Sequence, residues 1–421
     1  MEDPVVAPAI VADCVDEIVL RSLPFSGLED ARMKEAFYGT PYIMRLPQEL
    51  LDAIIDCLRK EKRALANCAA TMRRWLYRAR RHLFDNISIK HVHAFFAFLQ
   101  TAPQSVAGNI KFLTLRLHED HHLDLRTLAS ALAKMPALDQ LWIRHASSMT
   151  IPDAVSTSVP RIAQLDILVI DRSVLSAVEL ATLISLFPSV TDLYIEADCT
   201  FTGAATDALQ EGVRETLSKV KLTKLAVGAR AHDHEAVLNV LRLTSSVDPL
   251  TVTSLELNFM SCAWLSTAQR ALSVCGPGVE DLAVDLTFWD EDDAKHSLKG
   301  LGLSACKKLR RLRLDLSGPE QLQLVRDVLF DVLPRECQPG LRVDLAVSLL
   351  EIGNFRAQWD STLSAYGVKD ISAFRLWCRT ASRIDDRSNA FKRGRLLEPE
   401  EQAQVLKLLP ETHKLGTLKF A

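Results

Sequence analysis

The stretch Ile110-Lys111-Phe112-Leu113-Thr114-Leu115 decides the fold, because its spacing of aliphatic residues recurs along the chain. The pattern is an aliphatic residue, two other residues, a leucine, one other residue and an aliphatic residue. Seven further matches begin 24 to 32 residues apart, at Leu138, Ile162, Val190, Leu222, Val252, Val279 and Leu309, and a degenerate one begins at Leu341. The alternation of inward leucines with outward neighbours predicts a short β-strand in each match.

Helical stretches separate these strands, over residues 125–135, 177–187 and 205–220. Pro136 and Pro188 end two of them, because proline stops a helix and biases the residue before it toward extended backbone. One strand and one helix cannot bury their apolar faces alone, whereas a stack of such units can. The sequence therefore predicts an α/β solenoid over residues 91–345, with parallel strands inside and helices outside.

A different, helical pattern precedes these repeats. It predicts three short helices, over residues 46–58, 64–70 and 71–84. On the first helix Leu50, Ile54 and Leu58 share one face. Leu51 and Ile55 widen that face. Three short helices need less apolar surface than this to cover one another, so the excess indicates a surface for a partner.

Several motifs in this helical region carry a family resemblance. The residues that resemble the F-box are Leu46-Pro47-Gln48-Glu49-Leu50, Ile54-Ile55, Cys68-Ala69 and Arg73-Arg74-Trp75, and residues 79–84 are similar to its fungal F-box-like variety. The repeats resemble leucine-rich repeats. Over roughly 300 of its 421 residues the chain is thus similar to F-box-like, leucine-rich-repeat proteins, which are substrate receptors of cullin-type ubiquitin ligases.

The resemblance implies a function and a set of contacts. Residues 46–84 would dock on a Skp-type adaptor, which connects to a cullin, and the repeats would bind a target protein. The protein would then be the substrate-recognition subunit of an SCF-type ubiquitin ligase, without catalysis of its own. The implied adaptor-binding residues are Leu46, Pro47, Leu50, Leu51, Ile54, Ile55, Leu58 and Trp75.

Strand alternation also predicts where a target binds. If the repeat leucines point into the core, their neighbours point out of the opposite face of the sheet. The predicted target-binding residues are Arg116, Trp142, Arg144, Asp166, Tyr194, Glu196, Glu256, Asp285 and Arg313. Trp142 and Tyr194 are the predicted anchors, because aromatic residues are frequent at binding hot spots. The alternative location is the loop edge with residues 118–122, 232–234 and 290–293.

Two other function classes compete with this interpretation. One is a leucine-rich-repeat scaffold without a ubiquitin-ligase role, in which the helices only cap the array. The other is a zinc hydrolase, because residues 118–122 match the HExxH motif. These residues directly follow a predicted strand, however, so a loop is favoured over the helix that would bring the two histidines together. We therefore expect no enzyme activity, no catalytic residues, no cofactor and no metal.

Composition and charge limit the remaining partners. The net charge is −3, so no nucleic-acid footprint is indicated, and the basic residues 73–81 favour an acidic protein partner. The longest run without Asp, Glu, Lys or Arg, residues 91–110, contains Pro103 and polar residues, so no membrane span is expected. Nine cysteines without a CxxC pair indicate free thiols and an intracellular location, cytoplasmic, nuclear or both.

The patterns predict four segments along the chain. Residues 1–40 form an acidic N-terminal segment, in which residues 10–20 have the pattern of a short helix. Residues 41–90 form the F-box-like helical module, and residues 91–345 form the array of about eight repeats. Residues 346–421 are expected to be a helical C-terminal cap or tail.

Overall fold

The computed structural model describes residues 46–117, 122–150, 164–196, 199–202, 220–229, 251–259, 265–285, 303–315, 341–347, 360, 373–378, 399–410 and 418–419. In these residues the protein is an α/β protein whose paired strands run parallel. The chain forms two compact units. The first is Met1–Leu168 with Leu186–Pro188, and the second is Val169–Ser185 with Ser189–Ala421.

In the described residues the first unit begins with three helices: α1 (Gln48–Cys57), α2 (Lys62–Thr71) and α3 (Arg73–Asp85). They lie where the apolar spacing predicts helices. Leu51 and Ile55 of α1 are buried, and so are Leu65 of α2 and Ala79 and Leu83 of α3. Both α1 and α2 pack against α3, so α3 is the central helix of this group.

A lysine fixes the C-terminal end of α3. The Nζ atom of Lys62 donates hydrogen bonds to the carbonyl oxygens of His82 and Leu83, each at 3.1 Å. Carbonyl groups in the last turn of a helix have no partner inside the helix and carry its negative dipole end, so a cation there is stabilising. This contact ties the start of α2 to the end of α3.

Strands and short helices follow in the first unit. They are β1 (Asn86–Ile89), α4 (Val92–Thr101), α5 (Gln104–Ala107), β2 (Phe112–Arg116), β3 (Leu123–Asp124), α6 (Leu125–Leu132), β4 (Gln140–Arg144) and β5 (Met149–Thr150). Strands β1, β2 and β4 are neighbours in that order, and Ile87, Leu113 and Leu141 align across them. Asp124 caps α6, because its side chain accepts hydrogen bonds from the backbone N–H groups of Arg126 and Thr127.

The second unit also consists of parallel strands and helices. Its elements are the end of β6 (Leu165–Asp171), β7 (Val174–Ser176), α7 (Ala177–Ser185), β8 (Ser189–Ile195), β9 (Thr200–Thr202), β10 (Lys221–Ala229), β11 (Ser254–Phe259), α8 (Leu265–Cys275), β12 (Asp281–Asp285), β13 (Arg311–Asp315), β14 (Arg342–Val347), β15 (Ala373–Cys378), α9 (Pro399–Leu408) and β16 (Leu418–Lys419). From β8 to β16 the long strands are neighbours in chain order, with the short β9 paired to β7 instead.

The repeat leucines form a buried column in this unit. Leu193, Leu225, Leu255, Leu282, Leu312 and Val343 align from strand to strand, and none is more than 1% exposed. A second buried column follows two residues later, from Ile195 to Leu314. The predicted inward positions of these strands are therefore confirmed, and truncating one such leucine to alanine typically costs about 2–5 kcal/mol.

The register of one predicted strand is wrong by three residues. The sequence pattern starts at Ile162 and takes Leu165 and Ile167 as the inward pair of the repeat, whereas in β6 Leu168 and Ile170 occupy those positions. Leu165 is buried as predicted, and Ile167 is half-buried. The backbone N–H of Ile167 donates to the carbonyl oxygen of Asp139, as Gln140 does to Lys111 one strand earlier. Both registers satisfy the leucine spacing, and the structure adopts the one that buries the more continuous apolar run.

The prediction of a helical segment over residues 346–421 is wrong in part. Helix α9 is present, but strands β15 and β16 extend the sheet beyond β14. Phe374 and Leu376 align with Val343 and Leu345. The backbone of β15 is therefore in register with β14 at the positions of the repeat pattern.

A glycine marks a close contact between neighbouring repeats in the second unit. Helix α8 ends at Cys275, and a Cβ atom added to Gly276 would lie 2.9 Å from the Cβ atom of Ala305. We expect Gly276→Ala to lower the free energy of unfolding by about 1–3 kcal/mol, because packed neighbours have to move. Denaturant titration measures this. Ser304→Ala, at an exposed position, is the control and should change stability by less than about 0.5 kcal/mol; equal stability of the two variants would contradict the close approach.

Candidate functional site

The first candidate surface is an apolar stripe on the outside of α1, here called the outer stripe. It consists of Pro47, at the start of the helix, and Leu50, Ile54 and Cys57, all of them exposed. Leu50 is 52% and Ile54 is 42% exposed. The spacing of three, four and three residues places these side chains along one flank of the helix. The outer stripe is therefore a continuous apolar edge that faces solvent.

The structure divides the predicted adaptor-binding residues into three groups. Pro47, Leu50 and Ile54 are exposed and belong to the outer stripe. Leu46, Leu58 and Trp75 are half-buried. Leu51 and Ile55 are each only 1% exposed. The prediction that these last two contact an adaptor does not fit the structure, because they are core residues of the helical group that support the outer stripe from behind.

Exposed apolar side chains are concentrated on these helices. Among the residues that the structure describes, the exposed large hydrophobic side chains are Leu50, Ile54, Tyr77 and Val174. Three of the four lie on α1 and α3. Scattered exposed hydrophobic residues are normal on a protein surface, but a local concentration on one small helical group indicates an interaction site.

An acid at the end of α1 holds this helix against α3. Asp56 accepts two hydrogen bonds from Arg78, one from Nε at 2.7 Å and one from Nη2 at 2.6 Å. The Nε2 atom of His82 lies 2.6 Å from Oδ1 of the same carboxylate, the oxygen that also accepts from Arg78 Nε. The hydrogen bonds from Arg78 and then from His82 hold the pKa of Asp56 well below its usual range. This group of three side chains fixes the direction in which the outer stripe points.

Removal of the Asp56 charge tests the clamp that Asp56, Arg78 and His82 form between α1 and α3. We expect Asp56→Asn to lower the free energy of unfolding at pH 7 by about 1 kcal/mol, a modest value because the carboxylate is 40% exposed. A carboxyl group with a lowered pKa in the folded state stabilises the fold above its unfolded pKa of about 4, and this contribution is lost as the pH falls further. The difference between wild type and variant should therefore shrink in acid.

Denaturant titrations between pH 7 and pH 3 measure this difference. The exposed Asp281 provides the matched control, because Asp281→Asn changes the same charge on a strand of the second unit. If the free energies of unfolding of wild type and Asp56→Asn differed by the same amount at every pH, the carboxylate charge would not contribute to the clamp.

The second candidate surface is the face of the second unit's sheet that lies opposite the leucine column, here called the outer sheet face. Its side chains alternate with the core leucines along strands β8 to β14. Its described members that make hydrogen bonds or ion pairs with one another are Asp192, Tyr194, Lys224, Glu256, Arg311, Arg313, Asp315, Arg342 and Asp344. Most are half-buried, because neighbouring charged side chains lie against one another across the strands.

One cluster on the outer sheet face surrounds a lysine. The Nζ atom of Lys224 lies 3.1 Å from a carboxylate oxygen of Glu256 and 4.8 Å from the centre of the Tyr194 ring. The Tyr194 hydroxyl donates to Asp192 at 3.1 Å. Burial alone would lower the pKa of Lys224, but the Glu256 charge and Tyr194 raise it. Burial raises the pKa of Tyr194, so a charged lysine beside a neutral tyrosine is the stable state.

A second cluster pairs arginines with acids. Arg313 binds Asp315 through two hydrogen bonds of 2.8 Å. Arg311 and Arg342 converge on Asp344, with Nε to carboxylate distances of 2.6 and 2.8 Å. The side chain of Asp344 is fully buried, whereas the two arginines are 36% and 27% exposed. The carboxylate therefore crosslinks β13 and β14 beneath the guanidinium groups.

The contribution of Asp344 can be compared with that of an exposed ion pair. We expect Asp344→Asn to lower the free energy of unfolding by about 1–3 kcal/mol, because two partly buried guanidinium groups lose their shared counter-charge. Glu280→Gln should change it by less than about 0.5 kcal/mol, since its partner Arg310 is 77% exposed. Denaturant titration of both variants measures the contrast, and equal effects would contradict the crosslink.

The predicted target-binding residues fall into several environments. In the first unit Arg116 is exposed, and Trp142 and Arg144 are half-buried on the strands where alternation places them. In the second unit the half-buried Tyr194, Glu256 and Arg313 belong to the outer sheet face. Lys224, Arg342 and Asp344 were not predicted, although the same alternation, applied to every strand, identifies them.

Two predicted target-binding residues need correction. Asp166 is exposed, as strand alternation predicts, and lies at the beginning of β6. Glu196 and Asp285 are only 8% and 7% exposed. Glu196 lies beside the buried Cys199, whose backbone N–H donates to the Glu196 carbonyl oxygen. Asp285 aligns with Asp315 on the neighbouring strand; burial alone would lower the pKa of Arg313, but Asp315 and, to a smaller extent, Glu256 and Asp285 raise it. Their position at strand ends covers them with neighbouring side chains.

The loop clusters contribute little to the described site. Residues 118–121, 232–234 and 290–293 lie outside the described residues. His122 precedes β3, and its Nδ1 atom makes a hydrogen-bonding contact with the Ser148 hydroxyl. In the stretches of chain that the structure describes, no three His, Cys, Asp or Glu side chains are arranged to hold a metal ion.

Comparison with known proteins adds no relative. No protein-family model matches the chain, and no curated protein sequence matches it. Over the described part of the chain, no helix is long and apolar enough to cross a membrane. The class of protein is therefore defined by its own structure: an α/β protein with parallel strands, a group of three N-terminal helices and two candidate docking surfaces.

Proposed function

We propose that this protein is the substrate-recognition subunit of an SCF-type ubiquitin ligase. Its α1–α3 group would act as an F-box-like module that binds a Skp-type adaptor and, through it, a cullin. Its repeats would form a leucine-rich-repeat solenoid that binds a target protein. The protein would contribute proximity between target and ubiquitin-transfer machinery, with no cofactor and no chemistry of its own.

The observation that carries the proposal is the exposure of the outer stripe. Leu50 and Ile54 face solvent while Leu51 and Ile55 of the same helix complete the helical core. Burial of what remains exposed on these two side chains would contribute about 2 kcal/mol to binding. A helix that only capped an array would turn its apolar residues toward that array, so the solvent-facing stripe favours the receptor over the scaffold.

The repeat proposal is supported by the order and register of the strands. Successive strands of the second unit are neighbours, and equivalent leucines align from one to the next. The backbone after two strands is also alike, because His145 follows β4 and Arg172 follows β6, both with positive φ, at 58° and 49°. Non-glycine residues rarely adopt such values, so their recurrence after strands favours a repeated structural unit.

The target would bind the outer sheet face of the second unit. Its lysine and arginine side chains are already held by carboxylates at 2.6 to 3.1 Å, so little side-chain entropy remains to be lost on binding. Tyr194 is the aromatic anchor of this surface, with Lys224 fixed over its ring. A pre-ordered charged surface of this kind favours specificity for a protein with complementary charges.

Adaptor binding is tested by charges in the outer stripe. We expect the double variant Leu50→Asp, Ile54→Asp to weaken binding of a purified Skp-type adaptor at least about 100-fold, because two carboxylates would be desolvated in the contact. Isothermal titration calorimetry measures the affinity, and circular dichroism confirms that the fold persists. Val174→Asp is the matched control, since Val174 is 39% exposed and lies far along the chain on β7.

The outcomes separate the two interpretations. If the double variant bound the adaptor with unchanged affinity, the assignment of the outer stripe as the adaptor site would be wrong. Failure of the wild-type chain to bind any Skp-type adaptor would instead favour the repeat scaffold without a ubiquitin-ligase role.

A further inference from the structure

A basic face of α3 is not used by the proposed function. Arg73, Tyr77 and Arg81 follow one another at intervals of four residues, so they lie along one side of this helix. All three are exposed, and Tyr77 is 67% exposed. Ala79 and Leu83 lie on the buried side of the same helix. We call the surface formed by Arg73, Tyr77 and Arg81 the basic face of α3.

This face combines positive charge with an aromatic side chain. Helix α3 contains five arginines in 13 residues. Arg78 is held by Asp56, but Arg73 and Arg81 flank Tyr77 by one turn on each side, about 6 Å along the helix axis. Tyrosine and arginine are the residue types most enriched at binding hot spots. The face therefore fits a segment that offers carboxylates beside an apolar strip.

The N-terminal segment of this chain has that composition. Residues 1–20 contain five acidic residues and no lysine or arginine. Within residues 10–20 the apolar residues recur with a helical period, at Ile10, Val11, Cys14, Val15, Ile18 and Val19, while Asp13, Asp16 and Glu17 lie on the other side. The pattern predicts an amphipathic acidic helix whose charges complement the arginines of the basic face.

We propose that the basic face of α3 is the docking surface for the acidic segment 10–20 of this same chain. The apolar strip of the segment covers the Tyr77 ring, and its carboxylates pair with Arg73 and Arg81. This inference does not depend on adaptor binding, because it concerns α3 and not the outer stripe of α1.

The tether makes this internal partner effective. Residues 21–45 join the segment to the start of the helical group, and 25 residues reach at most about 85 Å when fully extended. Helix α3 is about 20 Å long. The segment therefore reaches the basic face, at an effective concentration on the order of millimolar. A contact with a dissociation constant of about 0.1 mM is then occupied about nine-tenths of the time.

Hydrogen–deuterium exchange of the full-length chain tests the proposal. We expect amide exchange in residues 10–20 of the wild type to be about tenfold slower than in the undocked segment, because the segment is docked about nine-tenths of the time. The variant Arg73→Glu, Arg81→Glu should abolish this protection while circular dichroism remains unchanged. The control Arg126→Glu, Arg270→Glu alters two exposed arginines elsewhere by the same charge and should keep it.

A charge exchange makes the test specific. The variant Asp13→Lys, Glu17→Lys should also lose the protection, and its combination with Arg73→Glu, Arg81→Glu should restore it. Protection that is absent from the wild type, or unchanged in the Arg73 and Arg81 variant, would overturn the proposal. Unprotected residues 10–20 together with binding of a fluorescent single-stranded oligonucleotide that depends on Arg73 and Arg81 would likewise overturn it, and would assign the face to nucleic acid.

Discussion

The side-chain alternation of a β-strand is the constraint on which this structure depends. Leu255 and Leu257 point to one side of β11 and Glu256 points to the other, so each strand contributes equally to the core and to the outer sheet face. No single strand has enough apolar surface to remain folded alone. Strands that pair in chain order solve this problem, because every leucine is covered by its equivalent on the next strand.

The same constraint explains why the outer sheet face is charged but internally paired. Parallel register places side chains of neighbouring strands about 5 Å apart, so Arg311 and Arg342 stand side by side and would repel each other. Asp344 lies next to both and is buried under them. Charge pairing on this face is therefore a condition for assembling the strands, and any binding function of the face uses side chains that the fold has already ordered.

The sequence predicts the positions of strands and helices well where a pattern is long and repeated. Helices α1 to α3 and strands β2, β4, β8 and β10 to β14 lie where spacing indicates them. Strand β1 was not predicted, because Ile87-Ser88-Ile89 offers only three alternating residues. The predicted register of β6 was wrong because two overlapping leucine patterns fit its sequence. Which of the two registers forms depends on how much apolar surface each one buries. The burial of a polar residue such as Asp285 depends on neighbours that are distant in sequence. A local sequence pattern therefore does not predict it.

The pairing of strands in chain order from β8 to β16 also determines how the second unit responds to mechanical force. Adjacent strands are parallel and consecutive, so a pull on one end loads the hydrogen bonds of the outermost strand first and leaves the others unloaded. Such a sheet peels one strand at a time, at low force, and a detached strand rejoins its immediate neighbour without crossing any other. The unit would lengthen in steps of one strand, which makes it compliant rather than brittle.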